Sequence, residues 1–70
     1  MTTRELYLAG VDYANRQEVS WDNQLRALRK HAREAANRVD RAGDRAFWLG
    51  AARTFGARLQ HRTVVIEKED

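Results

Sequence analysis

Apolar residues recur along this chain with helical spacing over most of its length, and the lapses in that spacing divide it into elements. Thr2 followed by Glu5 matches a capping box, in which each side chain accepts from the other residue's backbone N–H at a helix start. A helix is predicted from there over residues 3–17, with Leu6, Gly10 and Tyr13 on one face and Tyr7, Val11 and Ala14 beside it. Val19-Ser20 interrupts the pattern. Ser20 is a suitable N-cap, and Asp22 in the next turn complements the helix dipole. From there Trp21, Leu25, Leu28, Ala32, Ala35, Val39 and Ala42 alternate in steps of four and three, which is a heptad seam. Asp22–Arg26 and Glu34–Arg38 carry the i,i+4 spacing of ion pairs, each worth roughly 0.2–0.5 kcal/mol.

At Ala42-Gly43-Asp44 the pattern predicts a turn, with Gly43 in the left-handed conformation past a helix end and Asp44 capping the next helix. The segment 45–61 then has its own stripe of Trp48, Ala52, Phe55 and Leu59. The short connection makes 21–41 and 45–61 antiparallel neighbours in a helical hairpin. A second reading stays open, because the seam continues through Ala46 and Leu49 and one Gly inside a helix costs only about 1 kcal/mol. In that reading 21–61 is one long helix. Gly50 and Gly56, with Ala46 and Ala57, give the last helix a face of little bulk, suited to close approach within the hairpin or across a dimer. Thr63-Val64-Val65-Ile66 switches to β-branched residues and predicts an extended arm over 62–66, which needs a pairing partner. Residues 67–70 form an acidic tail that is expected to fray. The fold class is all-α in a single small domain spanning residues 1–70.

Composition changes this picture in one respect. The chain has 70 residues and a hydrophobic fraction of 43%, but eleven of the apolar residues are alanine and only nineteen are larger. A core built in fewer than roughly 70–80 residues supplies only about 3–5 kcal/mol, and small folds usually add disulfides, a metal or a second copy of the chain. There is no Cys, and His31 and His61 stand thirty positions apart with no ligand motif around either. No metal site and no cofactor is expected, and a homodimer is. Trp21, Phe47, Trp48 and Phe55 are the predicted packing or dimer anchors. Phe47 and Trp48 are adjacent, so they point about 100° apart, and one of them is expected at a rim or interface.

Charge supplies the candidate contact face. The net charge is +3, but residues 1–66 carry twelve basic and seven acidic side chains, and the last four residues take part of that excess back. Arg26, Arg29, Lys30 and Arg33 cluster on the middle helix and are the predicted partner-binding residues. Arginine and aromatic side chains are the types enriched in protein–protein hot spots. No Gly-rich phosphate loop and no His-Glu-x-x-His appears. The spacing of His31 and Glu34 allows acid–base chemistry but provides no pocket for it, so the chain is not expected to be an enzyme. No run approaches the roughly 18 apolar residues of a membrane span, and the first residues lack the order of a signal peptide, so a cytoplasmic protein is expected.

Two resemblances bear on function. Ala14 to Leu28 resembles a helix-turn-helix, with a break at Val19-Ser20, which implies a basic dimeric DNA-binding regulator. It departs from that pattern at Glu18, where the turn usually holds Gly, and at Gln24, where an apolar residue is usual. The run from Ser20 through Ala42-Gly43-Asp44 to Phe55, in a short Cys-free Arg-rich helical chain, is similar to the small bacteriophage anti-activators of host quorum sensing. That resemblance implies a helical dimer that binds a LuxR-type transcriptional activator in the host cytoplasm and stops it engaging DNA. It assigns no residue. The expected partner is therefore a host regulatory protein, with nucleic acid second and no membrane.

Overall fold

The computed structural model describes residues 1–69, with side chains described for residues 1–60. Three helices account for it: α1 (Thr3–Arg16), α2 (Asp22–Arg38) and α3 (Ala42–Glu69). No described residue is in a strand. The fold is all-α, and α2 and α3 form the helical hairpin, not one continuous helix.

The capping box forms as its spacing implies. The Glu5 backbone N–H donates to Thr2 Oγ1 at 3.1 Å, and the Thr2 N–H donates to Glu5 Oε1 at 3.2 Å. The start of α2 differs from expectation. Trp21, not Ser20, is the N-cap, and its carbonyl accepts from Gln24 and Leu25 while its side chain makes no capping hydrogen bond. Because Trp21 precedes the first helical residue, its ring leaves the line of the seam and is 68% exposed. The seam itself holds in the middle of α2, where Leu25 and Ala32 are buried. It then drifts, so that Ala36 is buried and Ala35 only half-buried. A straight 3.6-residue helix slips about 20° per heptad against a strict seven-residue repeat, which carries the buried line forward by one position.

The turn between α2 and α3 also moves. α2 closes on Val39 in an extended conformation, with its N–H on the Ala35 carbonyl at 3.2 Å, and α3 begins at Ala42. Gly43 therefore lies inside the first turn of α3 with ordinary helical φ, and Asp44 sits in that turn beside the positive end of the dipole in place of capping it. Tertiary packing explains the shift. A Cβ on Gly43 would stand 2.5 Å from Leu6 Cδ1, so this glycine makes room for α1 and not for a left-handed turn. Beyond Gly56 no Gly or Pro stops α3, and its backbone stays helical through 62–66, where an extended arm was expected. β-Branched residues cost at most about 0.7 kcal/mol each in a helix, less than breaking the hydrogen-bond ladder. Of the acidic tail, Asp70 lies outside the described residues.

α3 is the spine. α1 packs along it in parallel: Leu6 meets Gly43, Gly10 meets Phe47, and Arg58 reaches the carbonyls of Ala14 and Gln17. α2 returns antiparallel, with His31 against Trp48 and Arg29 against Gly56. No α-carbon of α1 lies within 8 Å of one in α2, so the two flank α3 without touching as helices. At the α1–α3 crossing Gly10 abuts the Phe47 carbonyl and Gly50 abuts the Tyr7 carbonyl. Only glycine permits backbones that close. The buried core is small and alanine-rich: Ala14, Ala32, Ala51 and Ala52 surround Leu25 and Phe55, the largest fully buried side chains. Buried Thr54 is satisfied by donating to the Gly50 carbonyl at 2.8 Å.

Candidate protein-binding face

Two sides of α3 remain to be distinguished. On the side holding the core, its aromatics meet both neighbours. Phe47 packs on Tyr13 of α1 with ring centroids 5.5 Å apart. Trp48 stands edge-on between Tyr13 at 6.1 Å and His31 of α2 at 5.7 Å. The two adjacent residues diverge, and each ring meets a flanking helix, Phe47 on α1 and Trp48 between α1 and α2. Both rings are half-buried, and Phe55 lies beneath them at 1% exposure. Tyr13 completes this cluster. Helical spacing places it on a face of α1, but nothing local links it to residues more than thirty positions away.

Beside that core, with Ala52 common to both, α2 and α3 leave a groove of about 510 Å³. Arg29 and Arg33, one turn apart on α2, form one wall, and Arg53 of α3 forms the other. Leu49, Ala52 and Gly56 make an apolar floor. Leu49 is 44% exposed, and the absence of a side chain at Gly56 keeps the floor low. Among the described side chains no carboxylate lines this groove. Among the described side chains the ion pairs are Arg16–Asp12 at 3.0 Å and Arg38–Glu34 at 3.7 Å, both on exposed surface. None involves Arg29, Arg33 or Arg53.

Of the four cations expected to act together, the structure thus brings Arg29 and Arg33 into one groove, while Arg26 and Lys30 are exposed outside its lining. Arg53, Leu49 and Gln60 were not anticipated. A signal was available: they fall on the side of α3 away from its predicted stripe of Trp48, Ala52, Phe55 and Leu59. A second groove, of about 820 Å³, runs between α1 and α3 past Tyr7, Val11 and Asn15, and the two grooves share Arg53 and Ala57. Arg58, at its end, is committed to structure, donating at 2.7 Å and 3.0 Å to the last carbonyls of α1.

The arrangement offers charge and shape. His31 faces Trp48, and the Glu34 carboxylate is turned to Arg38. Among the described residues no three His, Cys, Asp or Glu side chains gather as metal ligands would, and no helix is long and apolar enough to cross a membrane. The helix-turn-helix likeness does not extend to geometry. Such a unit packs its two helices against each other at a steep angle, whereas α1 and α2 are joined by residues 17–21 and do not meet.

The fold and this face together describe a small helical protein that presents an arginine-walled groove. Comparison with protein-family models, with curated proteins and with solved structures finds no match to this chain.

Proposed function

We propose that this chain is a non-enzymatic binding protein that inhibits a host regulatory protein, in the manner of a phage anti-activator acting on a LuxR-type transcription factor in the host cytoplasm. The observation that supports a binding role is the groove itself: three arginines from two helices converge over an apolar floor, with no carboxylate among the described residues that line it. Arginine beside desolvated apolar surface is the composition of an interface hot spot. Exposed Trp21, and Leu8 at 53% exposure, are the further apolar surface on which a homodimer would draw.

The test is capture from bacterial lysate with the tagged chain, with and without nuclease, followed by mass spectrometry. One stoichiometric regulator retained after nuclease treatment is the expected result. The purified regulator should then lose its DNA in a gel-shift assay as the chain is added. Retention of nucleoid proteins that disappears with nuclease would defeat this reading and favour a DNA-binding regulator, whose affinity for duplex falls steeply with salt.

A further inference from the structure

We infer that the groove between α2 and α3 receives an acidic amphipathic helix of the partner, with its carboxylates on Arg29, Arg33 and Arg53 and its apolar side on Leu49, Ala52 and Gly56. The inference rests on the protein-binding reading above and gives that partner a chemistry.

Shape argues for a helix. Two antiparallel helices leave a straight furrow, and the furrow here runs from Leu49 to Gln60, a rise of about 16 Å or three helical turns. Its floor is low. A Cβ built on Gly56 would meet Arg29 Cδ at 3.6 Å, an ordinary contact with a flexible side chain, so what covers this glycine is an arginine that can swing aside for a ligand. Small floor residues let a third helix approach to the 8–10 Å interaxial distance of packed helices. Exposed Leu49 and Ala57 then gain from burial, at roughly 25 cal/mol per Å² of apolar surface covered.

Charge argues for carboxylates. Arg29, Arg33 and Arg53 face one furrow from both walls, and a guanidinium fork matches a carboxylate in bidentate geometry. Partial desolvation by the apolar floor strengthens such a pair relative to one on open surface. A nucleic acid would use the same cations but gain nothing from Leu49 and Ala52. Single strands are held largely by stacking on aromatic side chains, and the rings of Phe47 and Trp48 pack on Tyr13 and His31 and do not line the groove. A second copy of this chain is a poor occupant. Its α1 and α2 carry two acidic residues each, Glu5, Asp12, Asp22 and Glu34, and those of Asp12 and Glu34 are already paired with Arg16 and Arg38. The sign of the groove also has a consequence for mechanism. A basic face does not imitate DNA phosphates, so inhibition proceeds by occupying an acidic helix of the regulator, away from its own basic DNA-contacting surface.

The test uses the full chain and a fluorescein-labelled peptide of about fifteen residues, ~22 Å as a helix, with Leu at i, i+3, i+4 and i+7 and Glu on the flanks. Controls are the same composition scrambled, the twin with Lys for Glu, and a labelled DNA duplex. Anisotropy should show the ordered acidic peptide binding at least about tenfold tighter than either peptide control, a difference of 1.4 kcal/mol. Ala57→Glu places a carboxylate at an exposed position on the groove, and Arg33→Glu reverses the wall that the groove between α1 and α3 does not share. Each should cut peptide binding by a similar factor while helical circular dichroism stays intact. Equal binding of ordered and scrambled peptides, preference for the duplex, or indifference to both substitutions would overturn the inference. So would a fall in mass from dimer to monomer in Ala57→Glu by light scattering, which would assign the groove to a second copy. The two readings separate cleanly. If Ala57→Glu still captures the regulator from lysate as wild type does, the groove is wrong and the binding role survives. Groove-dependent peptide binding without a retained regulator has the opposite meaning.

Discussion

Gly10, Gly50 and Gly56 are all helical, yet their neighbours give them opposite roles. A Cβ on Gly10 or Gly50 would run into a main-chain carbonyl of the facing helix, which cannot swing aside as a side chain can. Gly50→Ala should therefore destabilise the fold by about 1–3 kcal/mol, the usual cost of overpacking. Gly56→Ala meets only ordinary contacts and removes backbone freedom from the unfolded chain, so it should stabilise by roughly 0.4–1 kcal/mol. Urea denaturation of the two variants checks both signs, and stabilisation by Gly50→Ala would show that the helices do not approach as described. The sequence marked Gly50 and Gly56 alike as parts of a face with little bulk. Only the facing backbone separates them, and nothing within several residues of either encodes it.

Among the elements, α1 is held by its capping box, by the glycine crossing and by Arg58. The Arg58 guanidinium donates to the carbonyl of Ala14, which also accepts from the Gln17 N–H at 3.4 Å, and to that of the C-cap Gln17. Hydrogen bonds from a charged donor are worth roughly 1.5–3 kcal/mol, and the half-buried setting of Arg58 places it toward the lower figure. Arg58→Met should loosen α1 ahead of the hairpin, seen as faster hydrogen exchange in residues 3–16 than in α2. Uniform acceleration across all three helices would instead mean that α1 docking and the hairpin form one cooperative unit. Thr2→Ala should cost about 1 kcal/mol through loss of the cap. The capping box was legible because both partners lie within four residues. The ends of α2 were not, because Ser20 and Trp21 can each precede a helix, and the choice depends on which register carries Leu25 and Ala32 into α3.

For the whole molecule, the described structure is elongated, 44 × 20 × 17 Å, and its core is mostly alanine. Such a body has little reserve, and Phe55→Ala, at about 3–5 kcal/mol, should unfold it outright, with loss of the helical circular dichroism signal. Trp21 bears on assembly. It is an N-cap without a side-chain cap, in the extended conformation an N-cap requires. In a monomer, Trp21→Asp should supply that cap and add about 1 kcal/mol, or roughly 4–8 °C in Tm for a domain of this size. If Trp21 instead anchors a homodimer, the same change should lower Tm and make it depend on protein concentration. One melting series at two concentrations decides between them.

The sequence by itself determined the all-α class and the heart of each amphipathic face, and left the hairpin and the single long helix over 21–61 both open. Helical periodicity and capping chemistry act within one or two turns, and no Pro and few Gly interrupt them. It also located Arg29 and Arg33 as neighbours, since i,i+4 spacing is a local fact. The tertiary structure decided what periodicity cannot carry: that α3 lies between two helices that do not touch, that Gly43 seats Leu6 in place of turning the chain, and that Arg53 joins Arg29 and Arg33. Each of these depends on which surfaces meet across tens of residues, and that is settled by close packing and charge between elements, not by the preferences of any one of them.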